Sequence, residues 1–166
     1  EILIVENNSE DRKTFAYYEQ LKQRYENVRI LVWKKEFNYS SINNFAVREA
    51  RGEYLLFLNN DVEIITPSWM EEMLQICQQD GVGITGAKLY YPDDTIQHAG
   101  VVLGLGGIAG HIMCKARRED IGYMGRMVCV QEISAVTAAC MLVKTSVFKA
   151  AGGFDEELRV AFNDID

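Results

Sequence analysis

Positive charge is scarce in this sequence. Seventeen Lys and Arg face 24 Asp and Glu, for a net charge of −7. A nucleic-acid partner would be repelled, and no basic stripe with interleaved aromatics offsets that repulsion. Proline is nearly absent, with two in 166 residues, and neither a low-complexity tract nor an internal repeat is present. A proline-rich linker and a repeat architecture are thereby excluded. The four cysteines, Cys77, Cys114, Cys129 and Cys140, form no CxxC pair, and His98 and His111 complete no zinc pattern with them. They read as free thiols in a reducing compartment. A long hydrophobic run is also missing: the longest nearly uncharged stretch, 99–114, is broken by glycines at 100, 104, 106, 107 and 110, too irregular for a membrane helix. What remains is 48% hydrophobic and 25% charged, the composition of one globular domain.

The first half alternates in a regular way. "EILIVE" (1–6), "VRILVW" (28–33) and "EYLLFL" (53–58) are continuous apolar runs, as expected of strands buried on both faces. Between them, apolar residues at 15, 18, 21 and 25 and at 42, 45, 46 and 50 mark two helical stripes. Ser9 is the expected cap of the first helix, with acids 10 and 11 in its opening turn, and Gly52 the C′ glycine of the second. "TPSWMEEMLQICQQDG" predicts a third helix, capped by Thr66 with Pro67 at its first position and Gly81 at its end. The alternation predicts an α/β fold whose central sheet begins parallel. Beyond residue 82, strands are expected around the "PDD" turn (92–94) and over 133–144, then a short helix closed by Gly152 and Gly153, so the sheet becomes mixed. Residues 104–126 carry no assignable pattern. The chain opens on Glu1 inside a strand and stops at Asp166 after a charged turn, which reads as part of a longer protein.

Open sheets of this kind bind ligands at the carboxyl ends of their strands. Two strands end in polar, acid-containing sequences there: Glu6-Asn7-Asn8 and Asn59-Asn60-Asp61. Acids and amides after strands also serve as turn and cap residues, but the third helix has its own cap in Thr66. A carboxylate at a strand end suits Mg²⁺ or Mn²⁺, which takes its remaining ligands from phosphates and water. In an acidic protein such an ion would let a diphosphate approach.

The ordered set "VENNSED", "NNFAVREARGEYLLFLNNDV", "GAKLYYPDDTIQHAGVVLG", "SAVTAACMLVKTSVFKAAGGFDEEL" and "FNDID" resembles a family 2 inverting glycosyltransferase of the GT-A fold. It is most similar to bacterial rhamnosyltransferase-like members that build surface polysaccharides. The resemblance covers essentially the whole chain. It implies a single Rossmann-like three-layer sandwich with a mainly parallel, partly mixed sheet over 1–166, lacking a first strand and a C-terminal part. It also implies a nucleotide-diphospho-sugar donor, a saccharide or lipid-linked acceptor and a divalent metal. A cytoplasmic location follows, with peripheral membrane association left open. The family's metal-binding DxD falls on Asn59, Asn60 and Asp61, with Asn59 in place of the first acid, so metal binding would rest on Asp61. The acid that holds the nucleoside falls on Glu6, with Asn8 in the same loop, and Asn43 and Asn44 fall on the helix lining the nucleotide pocket. The catalytic Asp of an "ED" pair falls on Asp164, with Asn163 replacing the Glu. Asp164 is expected in the first turn of a helix capped by Asn163, where the dipole favours an ionised carboxylate; Asp166 is its nearest competitor.

"GLGGIA" (104–109) matches G-x-G-x-x-A after an apolar strand but lacks the helix and second acid-ended strand of a dinucleotide site. His98 and His111 carry no functional signal of their own. Three classes of function stay open: a metal-dependent nucleotide-sugar transferase, which the ordered motifs favour; a non-catalytic nucleotide- or sugar-binding domain of the same fold; and an unrelated nucleotide enzyme.

Overall fold

The computed structural model describes residues 1–165. Strand β1 (Ile2–Glu6) pairs in parallel with β2 (Val28–Val32), in the register Ile2↔Val28 to Glu6↔Val32. Helix α1 (Arg12–Arg24) makes the crossover between them. Its cap is Asp11, whose side chain accepts from the Lys13 N–H. Ser9 is not the cap: both its backbone N–H and its hydroxyl are given to Glu6, and the first helical turn contains no acid.

The second sheet contains most of the core. Strand β3 (Tyr54–Leu58) and β4 (Ile84–Gly86) flank β9 (Cys140–Lys144), both antiparallel to it. The expected central sheet, mainly parallel and partly mixed, is therefore corrected: among the described residues parallel strand pairing is found at β1–β2, and β3 belongs to a different, antiparallel sheet. A doubly buried apolar run shows that both faces are covered but says nothing of strand direction. The partner of β3 lies more than 80 residues later in the chain.

Alternation along the strands sorts side chains between two helical layers. Leu55, Phe57, Met141 and Val143 face Val47 of α2 (Tyr39–Glu49) and Phe148 of α4 (Thr145–Ala150). Cys140 and Leu142, with Leu56 beside them, face Met73 and Cys77 of α3 (Trp69–Cys77). On the first face Phe57, Phe148 and Phe154 form a triangle with centroids 5.0–5.2 Å apart. Helix α3 begins two residues later than a Thr66 cap would place it. Its N-cap is Ser68, whose hydroxyl bonds the Glu72 carboxylate rather than a helix N–H. Helix α2 ends on an extended Ala50, so Gly52 is no left-handed C′ residue. Gly152 and Gly153 do close α4 with positive φ, as expected.

The stretch beyond α3 forms short hairpins rather than long strands. Strands β5 (Leu89–Tyr90) and β6 (Ile96–His98) flank the "PDD" turn, and β7 (Val101–Leu103) pairs with β8 (Ala109–His111). "GLGGIA" spans the β7–β8 hairpin loop (104–108) and the first residue of β8, and the loop is closed by the Gly104 N–H on the Ile108 carbonyl at 2.7 Å. A loop between antiparallel strands has no helix N-terminus to receive a pyrophosphate. Residues 133–139, expected to extend β9, lie outside it.

Candidate active site

That irregular segment before β9 is where the site residues converge. Freed from a sheet ladder, the peptides of Thr137, Ala138 and Ala139 bond outward. The Ala138 N–H donates to Asp164 Oδ2 at 3.0 Å, and the Thr137 N–H to His98 Nε2 at 3.4 Å. The Ala138 carbonyl accepts from the Tyr39 hydroxyl at 3.3 Å. The Ala139 carbonyl accepts from the Asn59 N–H at 3.0 Å, which ties the end of β3 to the same point. Three consecutive residues thus gather Asp164, His98, Tyr39 and the Asn59-Asn60-Asp61 turn.

Asp164 reaches this point because α2 clasps the chain that precedes it. Asn44 Nδ2 donates to the Phe154 carbonyl at 2.8 Å, and the Phe154 N–H returns a bond to Asn44 Oδ1 at 3.0 Å. Ser40 donates to the Leu158 carbonyl and Ser41 to the Glu156 carboxylate. Asp164 is half-buried in a turn over 163–165, not in a helix. The expected dipole support is absent from the described residues, and a backbone N–H takes its place. Asp166, its competitor, lies outside the described residues.

The electrostatics reflect the crowding. Burial and the Asp164 charge push the Tyr39 phenol up to about 12. Burial, then the neighbouring His111, drive His98 down to about 4, while the Asp164 charge opposes that shift. His98 is 2% exposed, so it is neutral near pH 7. Its Nδ1 lies 2.9 Å from His111 Nδ1.

The remaining residues singled out in the sequence divide into two groups. Asn43 donates to the Tyr39 carbonyl at 2.9 Å, which ties it to the Asp164 group. Asn60 and Asp61 are exposed beside half-buried Asn59. For Glu6 and Asn8, β1 and β3 are in separate sheets, so Glu6 and Asp61 share no sheet edge. Glu6 is 4% exposed and bonded by the Ser9 N–H and hydroxyl and the Tyr18 hydroxyl. Burial works to raise its pKa, but those hydrogen bonds prevail and hold the carboxyl below its ordinary value. Asn8, at φ 56°, donates to the Lys35 carbonyl. Lys35 in turn borders a cavity of about 300 Å³ that Trp33, Phe37 and Arg159 also line. His98 and His111 are what sequence reasoning missed. They stand 13 residues apart on strands of different hairpins, and no spacing rule joins them.

Among the described residues, no three side chains of His, Cys, Asp or Glu converge on one point. A divalent ion at Asp61 would therefore take most of its ligands from a bound diphosphate and water, which is how Mg²⁺ commonly binds. No helix among these residues is long and apolar enough to cross a membrane.

An α/β domain that brings a carboxylate, a buried histidine and an amide–acid turn together at the end of a buried strand is built to handle a polar ligand. Residues 1–151 match the family described as Glycosyl transferase family 2, and the chain belongs to that family. It is similar to the uncharacterized protein y4gI of Sinorhizobium fredii (strain NBRC 101917 / NGR234), with 48% identity over 167 residues, covering 100% of this chain and 18% of that protein. It is also similar to the O-antigen biosynthesis protein RfbC of Myxococcus xanthus, with 41% identity over 169 residues, covering 100% of this chain and 13% of that protein. The chain spans less than a fifth of the length of both relatives.

Proposed function

We propose that this chain is the donor-handling and catalytic portion of an inverting glycosyltransferase. It moves a hexosyl or rhamnosyl group from a nucleotide-diphospho-sugar to a saccharide or lipid-linked hydroxyl in polysaccharide biosynthesis. The observation that carries this is the pairing of Asp164 and the Asn59–Asp61 turn on consecutive peptides, Ala138 and Ala139. Family membership and the printed name of the Myxococcus relative support it.

In this reading the Asp164 carboxylate accepts the proton of the acceptor hydroxyl. The hydroxyl oxygen forms the new bond to the sugar's anomeric carbon from the face opposite the diphosphate. The old carbon–oxygen bond breaks with its electron pair leaving on the diphosphate, through an oxocarbenium-like transition state. The Ala138 N–H fixes the orientation of Asp164 without supplying a proton of its own. Asp61 would hold Mg²⁺ or Mn²⁺, whose charge would stabilise the departing diphosphate. The Asn59 and Asn60 amides would offer neutral hydrogen bonds to donor hydroxyls, and Asn43 would act from the Tyr39 side. The buried Glu6 carboxylate, held by Ser9 and Tyr18, would shape the Asn8 loop.

Asp164→Asn in the full chain is the test. Turnover of a nucleotide-sugar should fall about 10²–10⁴-fold while donor binding stays near normal. Wild-type turnover in that variant would refute Asp164 as the base. A full chain that binds nucleoside diphosphate but never turns over would favour a non-catalytic binding domain of the same fold.

A further inference from the structure

A second cavity, of about 160 Å³, is lined by Tyr91, Gln97, His98, His111, Thr137 and Ala139, and the residue between the last two, Ala138, holds Asp164 through its N–H. A closed cavity of about 150 Å³ holds a benzene ring; this one is bordered by the exposed Gln97 and His111, so one pyranose ring can seat there with its hydroxyls reaching past the rim. None of the six lining residues is a lysine, arginine, aspartate or glutamate. Lysine and arginine are absent from the lining, the Lys115 ammonium is engaged over the Tyr91 ring, and the Asp164 carboxylate is held by the adjacent peptide, an arrangement that disfavours a diphosphate. Its lining is suited to a neutral molecule rich in hydroxyls.

The hydrogen bonds fix what the wall offers. His98 Nε2 accepts from the Thr137 N–H, so neutral His98 carries its proton on Nδ1. That proton points to His111 Nδ1, 2.9 Å away. A His111 ring that accepts at Nδ1 carries its proton on Nε2, a donor not used by the pair. Gln97 is exposed, and its amide both donates and accepts. Tyr91 is steadied by the Lys115 ammonium, 3.4 Å from its ring centroid. The Thr137 and Ala138 amides that hold His98 and Asp164 belong to neighbouring residues, about 3.8 Å apart at Cα.

We propose that this cavity is the acceptor subsite: it seats a single neutral pyranose ring whose hydroxyls are read by His111 and Gln97, with one hydroxyl presented to Asp164. The assignment rests on Asp164 being the base. It makes His111 and Gln97 specificity-determining residues and His98 a positioning residue that sets the tautomer of His111.

The test is a titration of the full chain with methyl glycosides of glucose, galactose, mannose, rhamnose and N-acetylglucosamine, followed through the imidazole resonances of His98 and His111. UDP, dTDP and GDP with Mg²⁺ are titrated separately. At least one glycoside should shift both histidines saturably, and the nucleotides should not. His111→Ala and Gln97→Ala should each weaken that glycoside about tenfold, the loss of one ordinary hydrogen bond, and leave nucleotide affinity unchanged. Both residues are exposed, so neither variant opens the core. The proposal is overturned if no glycoside shifts the histidines, if both variants bind it as wild type does, or if the nucleotides shift the histidines instead. The base reading fails separately: Asp164→Asn would then turn over normally while His111→Ala still lost the glycoside.

Discussion

Lowering the pH from about 7.5 to 4.5 charges His98 in the unfolded chain well before it does so in the folded one. The ordinary value of 6.5 is depressed to about 4 by burial and by His111. Above pH 6.5 the residue is neutral in both states, and the associated stability is fully present. As pH falls below that value, the unfolded chain takes up the proton and the folded one resists, so stability drains away until about pH 4. The gap corresponds to about 3 kcal/mol at roughly 1.4 kcal/mol per pKa unit, most of it already lost at pH ~4.5. Against a total of about 5–15 kcal/mol for a domain, that is a large share. Urea unfolding of the wild type and of His98→Gln at both pH values measures it. Glutamine can accept from Thr137 and donate to His111 without titrating, so its stability should fall less by roughly 2–3 kcal/mol. Glu6 and Glu156 also have depressed pKa values, but they act at lower pH and are present in both proteins. Parallel losses in the two proteins would refute the account of a buried, neutral His98.

Asp61→Ala should abolish Mn²⁺-dependent binding of a nucleoside diphosphate by the full chain, measured by calorimetry, while Asn59→Ala weakens it less because an amide contributes no charge. Equal Mn²⁺-linked affinity in wild type and the Asp61 variant would rule that assignment out. Gly153→Ala should destabilise by about 1–3 kcal/mol, since φ is +85° and the new Cβ would stand 2.7 Å from Asn44 Oδ1; an unchanged denaturation midpoint would contradict it. Asn44→Ala removes both bonds to the Phe154 backbone and should cost about 1–3 kcal/mol. It should also lower turnover by loosening the chain that carries Asp164, and a stability loss with undiminished turnover would show that the clasp does not position the base. Glu6→Gln places an amide where three donors now converge on a carboxylate and should destabilise by about 1–3 kcal/mol in thermal unfolding.

The helices and buried strands of the first half were legible because burial leaves a periodic trace in the chain. The apolar runs at 1–6, 28–33 and 53–58 and the stripes of α1 and α2 are local patterns, and the elements formed within a residue or so of where those patterns lie. Caps were less legible. Ser9, Thr66 and Asn163 each have a side chain suited to capping, yet Ser9 was taken by Glu6, Ser68 became the N-cap of α3, and no helix formed at Asn163. A short polar side chain has several partners within reach, and which one it meets depends on the fold around it.

By itself, the sequence determined the order and approximate bounds of the early elements and the candidacy of Asp61, which are written in neighbouring residues, and, through the ordered set of motifs along the chain, the family resemblance and the candidacy of Asp164. Tertiary structure alone decided that β3 runs antiparallel to β9, that Glu6 and Asp61 lie in different sheets, and that His98, His111 and Asp164 gather around Thr137 and Ala138. Those outcomes depend on contacts between residues 13 to more than 80 positions apart. Distances of that kind leave no period in a chain; they are set when the core closes and the peptides outside the ladder find their partners.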